Sequence, residues 1–217
     1  MNGIFNMYKV KQNLSILFIF LFVISLSVAI TINSKWLFYF DIDYLNITDK
    51  VDLTRADIVK NYRVLLDYLN LFWHKQLVLP DFSSSISGIR HFRDVKMLFQ
   101  LDYIILLLTI VPGIYSLVKM YRANTLWLIM TPIKYFFIIL GGLIFGLIIG
   151  FDTFFNLFHE LLFTNNDWLF DPVKDPIIWI LPPEFFMHCF ILFFILLLVF
   201  TISIYIIAKY QFKNIIK

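Results

Sequence analysis

Four histidines stand in the 217-residue chain, at positions 74, 91, 159 and 188, and two of them have neighbours suited to proton transfer. On a helix, Asp94 falls one turn beyond His91, with Arg93 between them and Asp102 further along the same stripe. His159 follows Asp152 and Asn156 at helical spacing, with Glu160 beside it. A carboxylate or amide one turn from an imidazole can fix its tautomer and tune its basicity. An imidazole of about 6.5 in pKa can take up or return a proton near neutrality. The set His91, Asp94, His159 and Glu160 also offers two imidazoles and two carboxylates to a zinc ion, although no H-E-x-x-H spacing is present. A further alternative is that these are ordinary polar residues of a membrane interface.

The rest of the chemical inventory is sparse. Ser83, Ser84, Ser85 and Ser87 precede His91, but nothing singles out a nucleophile, and a flexible loop is their expected role. His74 reads as a surface or capping residue and His188 as an interfacial anchor. The one cysteine, Cys189, lies in an apolar run and reads as packing. A single cysteine excludes an internal disulfide or a thiolate metal cluster. There is no glycine-rich phosphate loop, no G-x-S-x-G elbow and no basic stripe for nucleic acid.

What must hold the histidines is an apolar scaffold. The chain is 60% hydrophobic, 19% aromatic and only 15% charged, with a mean hydropathy of +0.81. Soluble domains are roughly 45–50% apolar and about 25% charged, so both a soluble globular fold and disorder are excluded. Crossing about 30 Å of hydrocarbon takes roughly 20 apolar residues, and four stretches come close: residues 14–32, 103–118, 135–151 and 186–208. The reading is an all-α membrane protein with four transmembrane helices. Pro112-Gly113 predicts a kink, and Gly142, Gly146 and Gly150, four residues apart, predict a close approach by a neighbouring helix. Ser27-Val28-Ala29 loosely resembles a signal-peptide cleavage site. The apolar run continues through Ile30 and Ile32 into Trp36, Phe38 and Tyr39, which favours an uncut helix ending in an aromatic belt.

Charge sets the orientation. The N-terminal segment, the 119–134 loop and the C-terminal segment carry eight Lys and Arg and no acidic residue, whereas all 15 acidic residues fall in 33–102 and 152–185. Short cytoplasmic loops are enriched in positive residues, so both termini are expected in the cytoplasm and the two acidic segments outside, as a small, mostly helical extracellular cap. Thr54 to Asp57 resembles a capping box. The helix after it places Ile58, Tyr62, Leu65, Leu66 and Leu69 on one face. Residues 76–80 read as extended and 81–88 as a loop, and from Ile89 a helical pattern runs into the second span. The 152–185 segment starts as a continuation of the third span and breaks at Asn165-Asn166-Asp167, Asp171-Pro172, Asp175-Pro176 and Pro182-Pro183. Between these turns its apolar residues, Trp168 and Trp179 among them, suggest a lipid-dipping loop.

This topology puts two histidines at one depth. His91 lies about 12 residues before the second span, on the order of 15 Å beyond it on a helix. His159 follows the third span by a similar length, and the two spans are antiparallel neighbours joined by a short loop. Both imidazoles are therefore expected to converge above the outer leaflet.

Several elements now stand together: Leu79-Pro80-Asp81-Phe82, then His91-Phe92-Arg93-Asp94-Val95-Lys96, then Phe158-His159, then NNDWLFDPVKDPIIWILPPEFF from Asn165 to Phe186. In their order and spacing they resemble the lipoprotein intramolecular transacylase family (Lit) of Gram-positive bacteria, over essentially the whole chain. The sequence departs from the family pattern at Pro176, where a plain aliphatic residue is expected. The resemblance implies an enzyme that moves the sn-2 acyl chain of a diacylglyceryl-cysteine lipoprotein onto the α-amino group of that cysteine, leaving a lyso form. It implies that His91 and His159 carry the reaction. Asp94 and Asn156 would then orient the imidazoles. Arg93, Asn165, Asn166, Asp171 and Glu184 are candidates for substrate cradle or loop architecture, with a structural turn equally open for Asp171. The expected partners are diacylglyceryl lipoproteins and membrane lipid, with no nucleic acid. No metal or other cofactor is required, and a monomer suffices for an intramolecular reaction. The competing readings are a non-catalytic accessory or transport subunit and a metal-dependent membrane hydrolase using the same histidines.

Overall fold

The computed structural model describes residues 2–216, which form helices and loops with no strand among the described residues. In chain order the α-helices are α1 (Asn2–Asn33), α2 (Lys35–Tyr44), α3 (Arg55–Asn70), α4 (Ile86–Arg122), α5 (Met130–Ile149), α6 (Phe151–Leu162) and α7 (Pro183–Ile216). Short 3-10 turns sit at Ile47–Lys50, Leu126–Ile129 and Pro176–Trp179. Four segments are long and apolar enough to cross a membrane: Lys9–Asn33, Ile86–Arg122, Leu126–Ile149 and Pro183–Ile216. At 1.5 Å per residue α4 is about 55 Å long, nearly twice a hydrocarbon core. Its first four turns carry Arg90, Arg93, Asp94 and Lys96, and the uncharged stretch from Tyr103 is the part that the sequence predicts to span.

The chain divides into two compact units. One comprises Met1–Thr31, Asp102–Phe145 and Leu192–Lys217, and the other Ile32–Leu101 and Gly146–Ile191. In the first unit Ile16, Ile19, Met120, Leu126, Ile129, Ile133 and Ala208 form a buried cluster. The buried Gln211 accepts from the Leu126 backbone N–H at 3.2 Å and donates to the Tyr121 carbonyl at 2.6 Å, satisfying backbone groups that the turn between α4 and α5 leaves free. A Cβ built on Gly113 would lie 2.9 Å from Phe22 Cβ and 3.2 Å from the Phe18 carbonyl oxygen. This glycine lets α1 and α4 approach closely. The expectation for the glycine row on α5 is corrected. Nothing lies within 4 Å of a Cβ added at Gly142, and only Phe154 Cδ2, at 3.9 Å, is near Gly146. Spacing identifies a shared face but not whether a neighbour covers it.

The second unit is built around Phe38 of α2, which stacks on Tyr62 of α3 at 3.8 Å and meets the edge of Phe185 of α7 at 5.3 Å. α3 buries Ile58, Tyr62, Leu65, Leu66 and Leu69, the face its spacing predicts. Thr54 caps it, accepting from Asp57 N. Asn61, fully buried on α3, donates to Asp81 Oδ2 at 2.7 Å and accepts from Asp81 N at 3.2 Å, which docks the Leu79–Phe82 stretch onto the helix. His188 is more than an interfacial anchor: its Nδ1 lies 2.7 Å from Oδ1 of the fully buried Asp41, tying α7 to α2. Cys189 packs against the same core.

The start of α4 is fixed from the far end of the sequence. The buried Asp175 accepts from Ser85 N at 2.7 Å and from Ser85 Oγ at 2.6 Å, while Ser85 Oγ in turn accepts from Gly88 N at 2.9 Å. Ser85 is thus a helix cap rather than part of a flexible loop. A carboxylate is also favourable where α4 presents its free N–H groups. Gly88 makes room for it, because an added Cβ would lie 2.3 Å from Asp175 Oδ1.

A carboxylate held by two hydrogen bonds cannot swing aside. Gly88→Ala is therefore expected to cost at least 1–2 kcal/mol, roughly 2–8 °C in thermal midpoint for a chain of this size. Gly142→Ala, in open space, is expected not to lower it. Thermal unfolding of the two variants in the same detergent checks the contrast.

Candidate active site

α6 is amphipathic in an unusual sense, since the one residue it buries is His159. The sequence pattern carries α5 straight on to this histidine, but the helix breaks at Gly150 and restarts at Phe151. Glycine is a weak helix former and marks the junction. His159 therefore sits on a separate twelve-residue helix, whose direction α5 does not dictate. Asp152, Asn156 and Glu160 are exposed on α6, as are Leu157 and Leu161.

His91, on α4, and His159 are 7% and 8% exposed, and their ring centroids lie 5.8 Å apart. Aromatic rings enclose the pair. Phe155 is 4.2 Å and Phe158 5.5 Å from His159, and Trp168 stacks on it at 4.8 Å with 27° between the planes. Phe163 and Phe170 present edges to His91 at 4.9 Å and 5.4 Å.

His159 Nδ1 lies 2.7 Å from the Phe155 carbonyl oxygen. A carbonyl can only accept, so Nδ1 carries the hydrogen and Nε2 of the neutral ring has its lone pair free. Burial holds the His159 pKa below the ordinary imidazole value, partly opposed by the Phe155 carbonyl. For His91 burial is the main cause and proximity to His159 adds to it, against the pull of Asp94 and Asp167, and together they lower its pKa to about 4. Both shifts favour the neutral imidazole near pH 7. His91 Nδ1 and Trp168 Nε1 are buried and have no hydrogen-bond partner among the described residues.

The loop after α6 is clamped to α4 on both sides of His91. Arg90 pairs with Asp167 at 2.9 Å, and Asp94 Oδ2 accepts from Asn165 Nδ2 at 3.0 Å. Asn165 Oδ1 also accepts from Asp167 N, which closes the turn. Asp94 and Asn165, predicted separately, are thus partners, and Asp94 spends its carboxylate on the loop rather than on His91. Asn156 is exposed, and the orienting bond on His159 comes from the backbone of Phe155 instead. Asn166, Arg93 and Glu184 are exposed, with Glu184 in the first turn of α7. Asp171 accepts from Val173 N and pairs with Lys174 at 3.3 Å, which is turn architecture. No group of three or more His, Cys, Asp or Glu able to hold a metal exists among the described residues, and Glu160 is exposed where the two histidines are buried. Sequence reasoning missed Arg90, Asp167, Asp175 and Phe155, and it read Trp168 as lipid-facing.

This constellation suits acyl transfer from an ester to an amine, which needs an acceptor for the amine proton and a donor at the oxygen that leaves. The family model for lipoprotein intramolecular transacylase Lit matches residues 13–186. Three solved structures of the membrane-integral enzyme of that name from Bacillus cereus are similar to the chain. One has a TM-score of 0.89 at 33% identity, covering 96% of this chain and 97% of the other. Another, in which one histidine is replaced by alanine, gives 0.82 at 32%, covering 99% and 98%. The third, with a histidine replaced by arginine, gives 0.79 at 33%, covering 98% and 97%. No curated protein matches the chain at a significant level.

The Arg90–Asp167 pair is partly exposed and is worth about 1 kcal/mol. Asp167→Ala is expected to leave α4 and α6 protected while the amides of residues 165–170 exchange ~5-fold faster, a difference of that size. Hydrogen–deuterium exchange by mass spectrometry reads this directly.

Proposed function

This chain belongs to the lipoprotein intramolecular transacylase family Lit, and from that premise we propose that its two buried imidazoles move the sn-2 acyl chain of a diacylglyceryl-cysteine lipoprotein to the α-amino group of the same cysteine. The observation that carries this reading is the free Nε2 of His159, set by the Nδ1 bond to the Phe155 carbonyl, 5.8 Å ring to ring from a neutral His91.

The amine nitrogen attacks the ester carbonyl carbon, and His159 Nε2 takes the proton that the nitrogen must lose. The carbonyl electron pair moves onto oxygen. When the tetrahedral adduct collapses, the bond to the glyceryl oxygen breaks, and that oxygen receives the proton His159 took from nitrogen, passed on through the neutral His91, which returns both rings to their starting state. One amide forms, one ester is lost and one hydroxyl appears on glycerol, so no acyl-enzyme, metal or nucleotide enters. Because ester and amine belong to one molecule, holding them in contact supplies part of the roughly 7–11 kcal/mol available from effective molarity. The aromatic enclosure keeps water from competing for the ester.

The basic residues of the N-terminal segment, the 119–134 loop and the C-terminal segment support an orientation with both termini in the cytoplasm and residues 33–102 and 152–185 outside. The histidines then work at the outer face, where lipoproteins carry their acyl chains. Arg93, Asn156, Asn166 and Glu184 are exposed and available to the polar backbone of the substrate.

Mass spectrometry of a lipoprotein N-terminal peptide tests the reading, in a host that accumulates the diacylglyceryl form. Wild type should yield the lyso form with one chain on nitrogen, while His91→Ala and His159→Ala should each lose at least ~10²-fold in rate, as expected of a general acid or base. Near-normal conversion by either folded variant contradicts the assignment. In purified enzyme the rate should rise with pH through the amine of the substrate, about 7.7–8.0 in water, and level off. The histidines titrate lower, so their limb lies below that of the amine. A rate that falls between pH 6 and 8 would contradict neutral imidazoles.

A further inference from the structure

One buried donor in the second unit has nothing to bond. The indole Nε1 of Trp168 carries a hydrogen and can only donate, yet it is shielded from solvent and has no partner. Leaving such a group unpaired costs about 1–3 kcal/mol. Phenylalanine would fill the same aromatic enclosure without that cost, as Phe155, Phe158, Phe163 and Phe170 do around the two rings. The chain also invests in holding the indole still. It stacks on His159 at 4.8 Å, and the turn that carries it is fastened to α4 through Arg90–Asp167 and Asp94–Asn165, on either side of His91. The stack keeps the indole against the imidazole that takes the amine proton, which itself lies 5.8 Å ring to ring from His91, whose Nδ1 is another unpartnered nitrogen among the described residues.

We propose that Trp168 is a further catalytic residue, whose indole N–H donates a hydrogen bond to the acyl carbonyl oxygen as it becomes an oxyanion. This rests on the transacylation reading above and divides its work. His159 takes the proton from nitrogen, His91 serves the departing glyceryl oxygen, and Trp168 holds the oxygen between. No proton leaves the indole. The carbonyl electron pair moves onto the oxygen it faces and returns when the glyceryl C–O bond breaks. A donor prearranged in a water-poor enclosure is effective at this task, because it does not have to reorient as the charge forms.

Trp168→Phe keeps a ring against His159 and removes the donor together with part of the ring volume. With a synthetic diacyl lipopeptide and purified enzyme, kcat should fall ~10²-fold, in the range for loss of one oxyanion donor, with KM nearly unchanged. The shape of the pH profile should stay as in wild type, because His159 keeps its stacked neighbour. With 3-benzothienylalanine at that position, which keeps the ring volume, the thermal midpoint should hold or rise, because an unpaired buried donor is gone. If the phenylalanine variant does not fold, 3-benzothienylalanine at position 168, which replaces N–H by sulfur in the same ring shape, gives the same reading. Activity within twofold of wild type in either folded variant overturns the role of Trp168 and leaves the transacylation reading intact. So does a parallel loss of kcat and thermal midpoint in the 3-benzothienylalanine variant, which marks the indole as packing alone. If the wild-type enzyme forms no lyso product from the lipopeptide, the transacylation reading falls and this role falls with it.

Discussion

The bond from His159 Nδ1–H to the carbonyl of Phe155, one turn back on α6, determines which face of that imidazole is basic. Every other feature of the site makes sense in relation to it. Burial alone would lower the basicity of both rings without choosing a nitrogen. The carbonyl makes the choice, and it raises the electron density of the free nitrogen while spending no side chain. It requires the helical turn from Phe155 to His159, and on α6 His159 is the one buried residue, beside half-buried Phe151, Phe154, Phe155 and Phe158. Desolvation then keeps His159 and His91 uncharged side by side, since two imidazolium ions at this separation among aromatic rings would be costly.

Precision comes from long-range ties rather than from the two helices alone. Asp175 caps α4 through Ser85, and the 165–168 turn is bolted to α4 at Arg90 and Asp94. Together they link the position of His91 to the loop that lays Trp168 on His159. Asn165, Asp167, Asp171 and Asp175 are thus structural, spent on α4, on Ser85 or on their own turn. The side chains around the two imidazoles are largely aromatic. A high aromatic content in a membrane protein usually suggests lipid contact, and here part of it lines the enclosure.

Much of this was legible before any coordinates. The buried face of α3, its Thr54 cap, the four apolar helices and the convergence of His91 with His159 all follow from local periodicity and from counting residues along helices. The pairings Asp41–His188, Asp94–Asn165 and Ser85–Asp175 were not, because each joins residues far apart in sequence and leaves no periodic trace. The break at Gly150 was hidden by an apolar run that continues across it, so composition suggested one helix where there are two. The glycine row on α5 misled for the opposite reason. Its spacing is regular, but nothing lies within 4 Å of a Cβ at Gly142 and only loose contacts, at 3.9 Å and 3.8 Å, are met at Gly146 and Gly150, while Gly113, expected as half of a kink, is where two helices come close. Trp168 was read as lipid-facing because an indole scores as apolar, and only the surroundings of its nitrogen show otherwise.

The central claim is that His159 is neutral with its hydrogen on Nδ1, and the most direct measurement is the nitrogen-15 NMR spectrum of histidine-labelled protein in lipid. His91→Gln and His159→Gln variants assign the signals. At pH 7 the account predicts that His159 shows a protonated Nδ1 and a bare Nε2, and that His91 is also uncharged. An Nε2–H tautomer at His159, or an imidazolium at either position, would contradict it.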